Sequence, residues 1–223
     1  MLMAQTFLHT MFGPGARALQ EAAGSRASYA RMEAGAGERD LLTDREADFI
    51  AARDSFYMAS VTEDGWPYVQ HRGGPAGFLR RIAGNRIGFA DYRGNRQYLS
   101  AANLAADDRV ALFLMDYPNR RRLKLIGHAR GSTDPDEIAA LMTTGYAADP
   151  ERAFVIDVIG FDWNCPQHIT PRYTEAQIQE VTAPLIEENR ALKAALREAG
   201  LPEHGARERP DALVSLPSMP STR

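Results

Sequence analysis

The chain has 223 residues, of which 44% are hydrophobic and 25% are charged, and its formal net charge is -3. This length allows one domain of moderate size with appendages, or two small domains. A single cysteine, Cys165, excludes an internal disulfide framework and a multi-thiolate metal site within one chain, and it fits a reducing, cytoplasmic setting. No apolar run of about 18 residues exists, and residues 1–10 lack a basic start, so neither a membrane span nor a secretory signal is predicted.

The charge is distributed unevenly along the chain. Residues 70–130 hold 12 Arg and Lys against 4 Asp and Glu, whereas the rest of the chain holds 14 against 25. A basic middle within an acidic whole favours one local anionic ligand. Solvated strand edges are the alternative. Nucleic-acid binding is not expected, because the aromatic residues are not interleaved with the arginines as a stacking platform requires.

The first 45 residues form an N-terminal arm rich in glycine. Residues 16–23 predict a short helix that ends near Gly24. Thr43 and Glu46 have the spacing of a capping box and predict the start of a second helix over residues 43–52. The arm is expected to be ordered only by packing on the rest of the protein.

Residues 46–170 alternate short apolar runs with tight turns, which predicts antiparallel strands. Long alternating βαβ units are absent, so a doubly wound nucleotide-binding fold is not expected. The sheet should close on itself or form a sandwich, with Asp134 capping a helix over 135–143. The predicted strands are 55–62, 66–72, 78–83, 86–90, 110–115, 121–130 and 153–161.

The last fifth of the chain changes character. Residues 174–198 predict one long helix, followed by a Pro-rich tail at 201–223. Packing of the helix on the parent domain and pairing with a second subunit are equally open. Its apolar residues keep heptad positions: Ile178, Val181, Leu185, Leu192 and Leu196.

Residues 91–97 are the most informative stretch of the sequence. They lie between an apolar strand and a helix-like run that begins at Tyr98. Backbone N–H groups, Arg93, Arg96, Asn95 and a glycine meet there, which suits a phosphate group. An ordinary solvated turn is the alternative.

Two cations on neighbouring strands also invite an anion. Arg72 shares a strand face with Gln70, and Lys124 lies in the middle of a strand that should be half buried. A snorkelling lysine on an open sheet face is the alternative for Lys124. His71 precedes a Gly-rich loop that begins at Gly73, where a flat ligand could approach the backbone, and a structural histidine is equally compatible.

The segment 161–169 supplies Trp163, Asn164 and Gln167, which offer a stacking surface and amide groups that match the edge of a heterocycle. Cys165 has no activating base beside it and is not expected to be a nucleophile. The five histidines lack metal-site spacing, and no acid–base pair can be nominated. Any redox chemistry would therefore need a bound cofactor.

Taken together, these segments resemble the pyridoxamine 5'-phosphate oxidase-like family of FMN-binding split barrels. Three motifs carry the resemblance in the same order along the chain: residues 68–78, residues 89–97, and residues 164–169 (Asn-Cys-Pro-Gln-His-Ile). The N-terminal arm looks like the leader of a bacterial subgroup. The resemblance implies an α+β fold built on an antiparallel split β-barrel of six to eight strands, with flanking helices and the long C-terminal helix.

The resemblance also implies a cytoplasmic, homodimeric flavoprotein that holds FMN at the subunit interface and acts on a small molecule. Pyridoxamine phosphate is a doubtful substrate, because the Arg- and His-rich C-terminal segment of the true oxidase has no counterpart here. Non-catalytic storage of a flavin, and binding of a deazaflavin or heme, are alternatives. The implied cofactor-binding residues are Gln70, His71, Arg72, Gly73, Asp91, Tyr92, Asn95, Arg96, Gln97, Lys124, Trp163, Asn164 and Gln167.

Overall fold

A computed structural model describes residues 6–35, 37, 40–163 and 166–202. The chain divides into two compact units, Met1–Arg172 and Tyr173–Arg223. The described part of the first unit contains one antiparallel sheet and six helices. These helices are α1 (Phe7–Met11), α2 (Pro14–Ala22), α3 (Arg26–Gly35), α4 (Asp44–Ala51), α5 (Leu99–Ala106) and α6 (Pro135–Leu141).

The sheet is built from seven strands: β1 (Ser55–Val61), β2 (Pro67–Gly73), β3 (Arg80–Ala83), β4 (Arg86–Tyr92), β5 (Arg109–Asp116), β6 (Arg121–Ser132) and β7 (Pro150–Trp163). They form one antiparallel sheet in the order β2-β1-β5-β6-β7-β4-β3. Consecutive hairpins account for the β1–β2, β3–β4 and β5–β6 pairs, so each tight turn predicted from the sequence joins neighbouring strands.

The sheet curls until its two ends meet around a common core. Phe56 of β1 packs against Phe89 of β4, with ring centroids 5.3 Å apart, although three strands separate β1 from β4 in the sheet order. A register shift after Ile126 in β6 supplies a local bend, where Gly127 leaves no room for a Cβ against β7. The result is the α+β split barrel that the sequence predicts.

Strand alternation decides which side chains enter the barrel. Leu123 and Leu125 of β6 are fully buried in the core, whereas Arg122 and Lys124, which alternate with them along the strand, point to the outer face. The structure therefore confirms the predicted faces of this strand at these four positions.

The N-terminal arm is held on the barrel by one carboxylate. Asp40 accepts hydrogen bonds from the backbone N–H groups of Phe7 (2.8 Å) and Phe161 (3.0 Å), joining the arm to β7. Gly160 lies directly under the backbone of Phe7, where a Cβ would collide. The predicted helix over 16–23 and the capping box of Thr43 and Glu46 are confirmed by α2 and α4.

The second unit contains α7 (Glu175–Glu198), which begins with a capping box of Thr174 and Gln177. The large apolar side chains at Ile178, Val181 and Leu185 are exposed. The helix is confirmed, and the choice between the two predicted uses of its apolar face stays a prediction. The Pro-rich tail lies outside the described residues from position 203 onward. In the described part, no helix is both long enough and apolar enough to cross a membrane.

Candidate functional site

The loop predicted to bind phosphate connects the end of β4 to α5, as the sequence indicates. Two of its residues, Arg96 and Tyr98, have φ values of 59° and 53°. This left-handed region costs a non-glycine residue roughly 1–2 kcal/mol, so the surrounding structure must enforce it. Non-glycine strain of this kind concentrates at ligand sites.

Hydrogen bonds to a neighbouring segment hold the loop in this conformation. The N–H of Arg93 donates to the carbonyl of Asp149 at 2.8 Å, and the Arg93 guanidinium donates to Glu151 at 3.1 Å. Within the loop, the N–H of Gln97 donates to the side chain of Asn95 at 3.2 Å. The loop is therefore anchored at its start and braced by an Asx-type turn in the middle.

A cavity of about 230 Å³, here called the loop cavity, opens between this loop, β2 and α5. Its lining includes six of the predicted site residues: Gln70, Arg72, Asp91, Tyr92, Asn95 and Arg96. Sequence reasoning missed Tyr98, Ser100 and Glu151, which also line it. Ser100 is the second residue of α5, directly after the loop, so its place at the start of the helix was the signal that could have found it.

An ion-paired cluster forms the floor of the loop cavity. Asp91 lies between Arg72, whose Nη1 is 2.5 Å from Oδ1, and Arg152, whose Nε is 3.3 Å from Oδ2. All three side chains are less than one-fifth exposed. Burial raises the pKa of Asp91 against the attraction of the two arginines. Glu151 lies 3.7 Å from Arg152, so two carboxylates balance these two arginines in a poorly solvated place, and Arg96 adds a positive charge at the cavity.

Two N–H groups in this cluster are left over. The Nε atoms of Arg72 and Arg152 are buried, and no hydrogen-bond partner for either is found among the described residues. A buried donor without a partner costs about 1–3 kcal/mol. Such a group is satisfied when an acceptor atom from a ligand occupies the cavity.

A polar relay orients a second wall of the cavity. The hydroxyl of Ser100 donates to Oε1 of Gln70 at 2.8 Å, and one turn later Asn103 donates to Ser60 at 2.9 Å. Because Oε1 of Gln70 accepts from Ser100, the amide NH₂ is the group left to face a ligand. Helix α5 is thus fastened to β1 and β2.

His71 and Gly73 lie beside a second cavity of about 170 Å³. This cavity shares Arg72, Asp91 and Tyr92 with the loop cavity, so the Arg72–Asp91 ion pair forms the wall between them. Both His71 and Gly73 are exposed. Gly73, where the sequence predicts close approach of a flat ligand, therefore lies beside the loop cavity, separated from it by the Arg72–Asp91 pair.

Lys124 lies apart from the loop cavity. Its Nζ is 3.0 Å from Asp162 and 5.2 Å from the ring centre of Phe7 on the outer face of the barrel. There it lines an apolar groove of about 230 Å³, here called the outer groove, together with Tyr57 and Val69. The outer groove has no residue in common with the loop cavity.

Three further predicted residues, Trp163, Gln97 and Gln167, do not line the loop cavity. The indole N–H of Trp163 donates to Glu46 at 2.8 Å, which places this ring on α4. Gln97 and Gln167 are exposed. Asn164, like Cys165, lies outside the described residues. The roles of these residues in cofactor binding stay predictions.

No cluster of three or more His, Cys, Asp and Glu side chains suited to a metal ion occurs in the described part of the chain. The titratable groups around the loop cavity are instead ion-paired. Hydrogen bonds from Arg93 and Tyr98 lower the pKa of Glu151 although its partial desolvation opposes this. The site therefore presents cations and amides rather than a free acid or base.

Residues 42–160 match the family model described as pyridoxamine 5'-phosphate oxidase. This match spans more than half of the chain and includes every residue that lines the loop cavity. The fold and the site thus define a split-barrel protein. The chain belongs to the pyridoxamine 5'-phosphate oxidase family.

Solved structures with a similar fold are distant in sequence. HupZ from Group A Streptococcus is 14% identical, with a TM-score of 0.47, and the match covers 59% of this chain and 99% of that one. An FMN-binding protein from Syntrophomonas wolfei subsp. wolfei is 11% identical, with a TM-score of 0.41 and coverages of 65% and 97%. General Stress Protein 26 from Bacillus anthracis str. Sterne is 12% identical, with a TM-score of 0.42 and coverages of 52% and 88%. No curated protein matches the sequence.

Proposed function

We propose that this protein binds FMN and uses it as an oxidoreductase on a small molecule. Membership of the family supports a flavin-type cofactor. The single observation that carries the choice of a phosphate-bearing flavin is the loop cavity, in which Arg96, Asn95 and the unpartnered Nε of Arg72 meet. Arginine pairs with phosphate through charge-assisted hydrogen bonds.

The shape of the loop cavity fits one end of such a cofactor. Its volume of about 230 Å³ is below the roughly 300–1,000 Å³ of sites that enclose a whole drug-sized ligand. The phosphate and the adjoining chain would occupy the loop cavity, and the ring system would extend beyond it along β2. Gln70, His71 and Gly73 would then lie along the ring, with the Gln70 amide oriented by Ser100.

The bound flavin would supply hydride or electron transfer, and the protein would supply binding and orientation. Arg96, Asn95 and Arg72 would hold the phosphate, while Asp91 would keep the Arg72 guanidinium in place. Gln97 and Tyr92 belong to the same stretch of the chain, 91–97, whose residues would hold the phosphate as the family resemblance implies. Trp163, Asn164 and Gln167 would contribute from near the C-terminal end of the barrel.

A homodimer is part of this proposal. The residues predicted for one cofactor lie on two separate surfaces of one protomer, the loop cavity and the outer groove with Lys124. A second copy that sets its Lys124 and Trp163 against the loop cavity would complete the site. Light scattering on the flavin-loaded protein should give the dimer mass, and a monomer mass with flavin bound would contradict this arrangement.

The cofactor is tested directly by absorbance and mass spectrometry of the purified protein. We expect a yellow protein whose released small molecule has the mass of FMN. Colourless protein that also ignores added FMN would reject the proposal. If a deazaflavin or a heme co-purified instead, the loop cavity would remain the proposed binding site, but the cofactor would not be FMN.

The phosphate assignment has its own variant. Replacing Arg96 by Ala should weaken FMN binding by about 1.5–3 kcal/mol, the range for a hydrogen bond to a charged group. Arg109→Ala, which removes an exposed arginine paired with Asp107, is the matched control and should leave the affinity unchanged. An unchanged affinity in Arg96→Ala would show that the phosphate lies elsewhere.

Non-catalytic storage of the flavin is the second candidate function. It is favoured by the two carboxylates at the loop cavity, Asp91 and Glu151, because both are ion-paired with arginines. Reduction by NADH or NADPH followed by reoxidation with a range of acceptors separates the two functions. Turnover with a natural acceptor would exclude mere storage.

We also propose a cytoplasmic setting, on the strength of the single cysteine.

A further inference from the structure

A second arginine-rich cavity lies on the outer side of the sheet, away from the loop cavity. It has a volume of about 460 Å³ and is lined by β3, β4, β6, β7 and α6. Four arginines surround it, and we call it the arginine cleft: Arg80, Arg81, Arg86 and Arg130. The arginine cleft and the loop cavity have no lining residue in common.

Two of these arginines are fixed by backbone carbonyl groups. Arg80 donates through Nη2 to the carbonyls of Ala140 and Met142, both at 2.9 Å, at the C-terminal end of α6. Arg81 donates to the carbonyl of Leu42 at 2.9 Å and to Asp44 at 2.7 Å. Carbonyl partners hold a guanidinium in place without neutralising its charge.

Arg86 and Arg130 are also ion-paired, as Arg81 is with Asp44. Arg86 donates through Nε to Asp157 at 2.8 Å, and Arg130 makes a two-pronged pair with Glu137 at 2.9 and 2.5 Å. Three carboxylates, Asp44, Asp157 and Glu137, pair with these arginines, and of the three only Glu137 lines the cleft. Hydrogen bonds from Arg130 and Ser132 lower the pKa of Glu137 to about 2, and the charge of Arg86 adds to this. Four arginines against three carboxylates leave a net charge of about +1 around the cleft, and Arg80 is the arginine that has only carbonyl partners there.

The floor of the cleft is apolar. Leu141 and Val155 are buried beneath it, while Ile82 leaves 47% of its surface exposed. Ile82 and Leu141 meet over Gly88, where a Cβ would lie only 2.8 Å from Ile82 Cδ1. The absence of a side chain at Gly88 lets these two aliphatic groups form one surface under the arginines.

We propose that the arginine cleft is a binding site for an organic oxyanion carried on an apolar body, separate from the flavin site. Guanidinium groups recognise carboxylate and phosphate oxygens through paired hydrogen bonds, and the aliphatic floor would bury the hydrocarbon part. The cleft has the volume typical of a small-molecule site, with apolar walls and few convergent polar groups.

The test titrates the full-length protein with four probes in a calorimeter. Octanoate and octyl phosphate carry both the oxyanion and the chain, 1-octanol carries only the chain, and inorganic phosphate carries only the anion. We expect saturable binding of at least one of the first two, at least tenfold tighter than 1-octanol or inorganic phosphate. Preference between octanoate and octyl phosphate identifies the carboxylate or the phosphate as the natural head group.

Variants assign the binding to the cleft. Arg86→Gln and Ile82→Asp should each weaken the preferred probe about tenfold, because one removes a donor and the other places a charge on the apolar floor. Both side chains are exposed, so the fold should tolerate the changes. Arg109→Gln is the matched control and should leave the affinity for the probe unchanged. Arg96→Ala, a change in the loop cavity, should also leave that affinity unchanged.

The proposal is overturned if neither octanoate nor octyl phosphate binds, or if 1-octanol binds equally well. Unchanged affinity in both Arg86→Gln and Ile82→Asp would overturn it as well. Loss of probe binding in Arg96→Ala would assign the anion to the loop cavity instead. FMN binding is measured in the same variants and should be unaffected by Arg86→Gln, so the two sites fail independently.

Discussion

The loop cavity and the outer groove both contain a cation predicted to face the cofactor, in opposite settings. Arg72 is 13% exposed, shares Asp91 with Arg152, and keeps one buried N–H without a partner in the described residues. Lys124 is 31% exposed, is paired with Asp162, and stands among apolar side chains. Burial and leftover hydrogen-bonding capacity, rather than charge alone, therefore distinguish Arg72, which keeps a donor for a ligand, from Lys124, whose charge is already paired within the chain.

The strongest challenge to this comparison is Arg72→Met. The change leaves Asp91 in a poorly solvated place with only Arg152 as its ionic partner. We expect the free energy of unfolding to fall by about 3 kcal/mol, the lower part of the range for breaking a buried pair. Urea unfolding of the apoprotein measures this effect.

The matched control for Arg72→Met is the double variant Arg72→Met with Asp91→Asn. It removes the stranded carboxylate, so part of the lost stability should return, and the double-mutant cycle gives the coupling energy. A single variant as stable as the parent would show that the Arg72–Asp91 pair adds nothing, and the contrast with Lys124 would disappear.

The barrel itself could be predicted because its signals are local. Glu63, Asp64 and Gly65 form a turn between β1 and β2, and Gly65 has the expected positive φ of 82°. Alternation along β6 placed Leu123 inside and Lys124 outside. The strand β7, however, begins at Pro150 rather than at 153, because its first residues pair with Asp91 and Tyr92 of β4. Pairing between distant segments extends a strand beyond its apolar run.

The site could be predicted only in part, for the same reason. Arg96 and Asn95 are neighbours in the sequence, and the structure brings both to one cavity with Arg72. Arg152 reaches Asp91 from a strand about sixty residues away, and Ser100 reaches Gln70 across the barrel mouth. The short α1 has no strong local signal, since its position depends on Asp40 and Gly160. Contacts of this kind appear only when the chain has folded.

A third charged side chain, Glu46, extends the comparison to the dependence of stability on pH. Glu46 is 3% exposed. Burial opposes its ionised form, but hydrogen bonds from Thr43 and Trp163 prevail and lower the pKa of Glu46. Because the folded pKa is depressed, the stability it contributes is present above pH 4.5 and is lost as the pH falls through the folded value.

We expect Glu46→Gln to cost about 1.5–3 kcal/mol at pH 7, since hydrogen bonds to a charged group are lost. The penalty should shrink as the pH falls through the lowered pKa of folded Glu46, because the parent then also loses the charge. Urea unfolding at several pH values measures it, with Glu63→Gln on the exposed turn as the control. A penalty that is constant with pH would mean that the charge of Glu46 plays no part.

Two variants at Arg96, in the loop between β4 and α5, separate the cost of backbone strain from the loss of phosphate binding. The expected difference in stability is smaller than for Glu46→Gln. Arg96 has a φ of 59°, which glycine adopts without the steric cost of a Cβ. We expect Arg96→Gly to be more stable than Arg96→Ala by about 1 kcal/mol, whereas both should lose the same FMN affinity. Thermal unfolding and flavin titration of the two variants measure the two effects. Equal stabilities would show that the loop relaxes out of this conformation.

The smallest effect is expected at Lys124, and it tests the other half of the comparison. Lys124 and Asp162 are each about one-third exposed, and such pairs contribute about 0–1 kcal/mol. Lys124→Ala should therefore change the free energy of unfolding of the apoprotein by less than about 1 kcal/mol, with Asp162→Asn as its partner control. Urea unfolding on the same preparation as Arg72→Met gives the direct ratio. If Lys124→Ala were as costly as Arg72→Met, charge alone would explain both sites, and the importance assigned to burial and to the unpartnered N–H of Arg72 would be wrong.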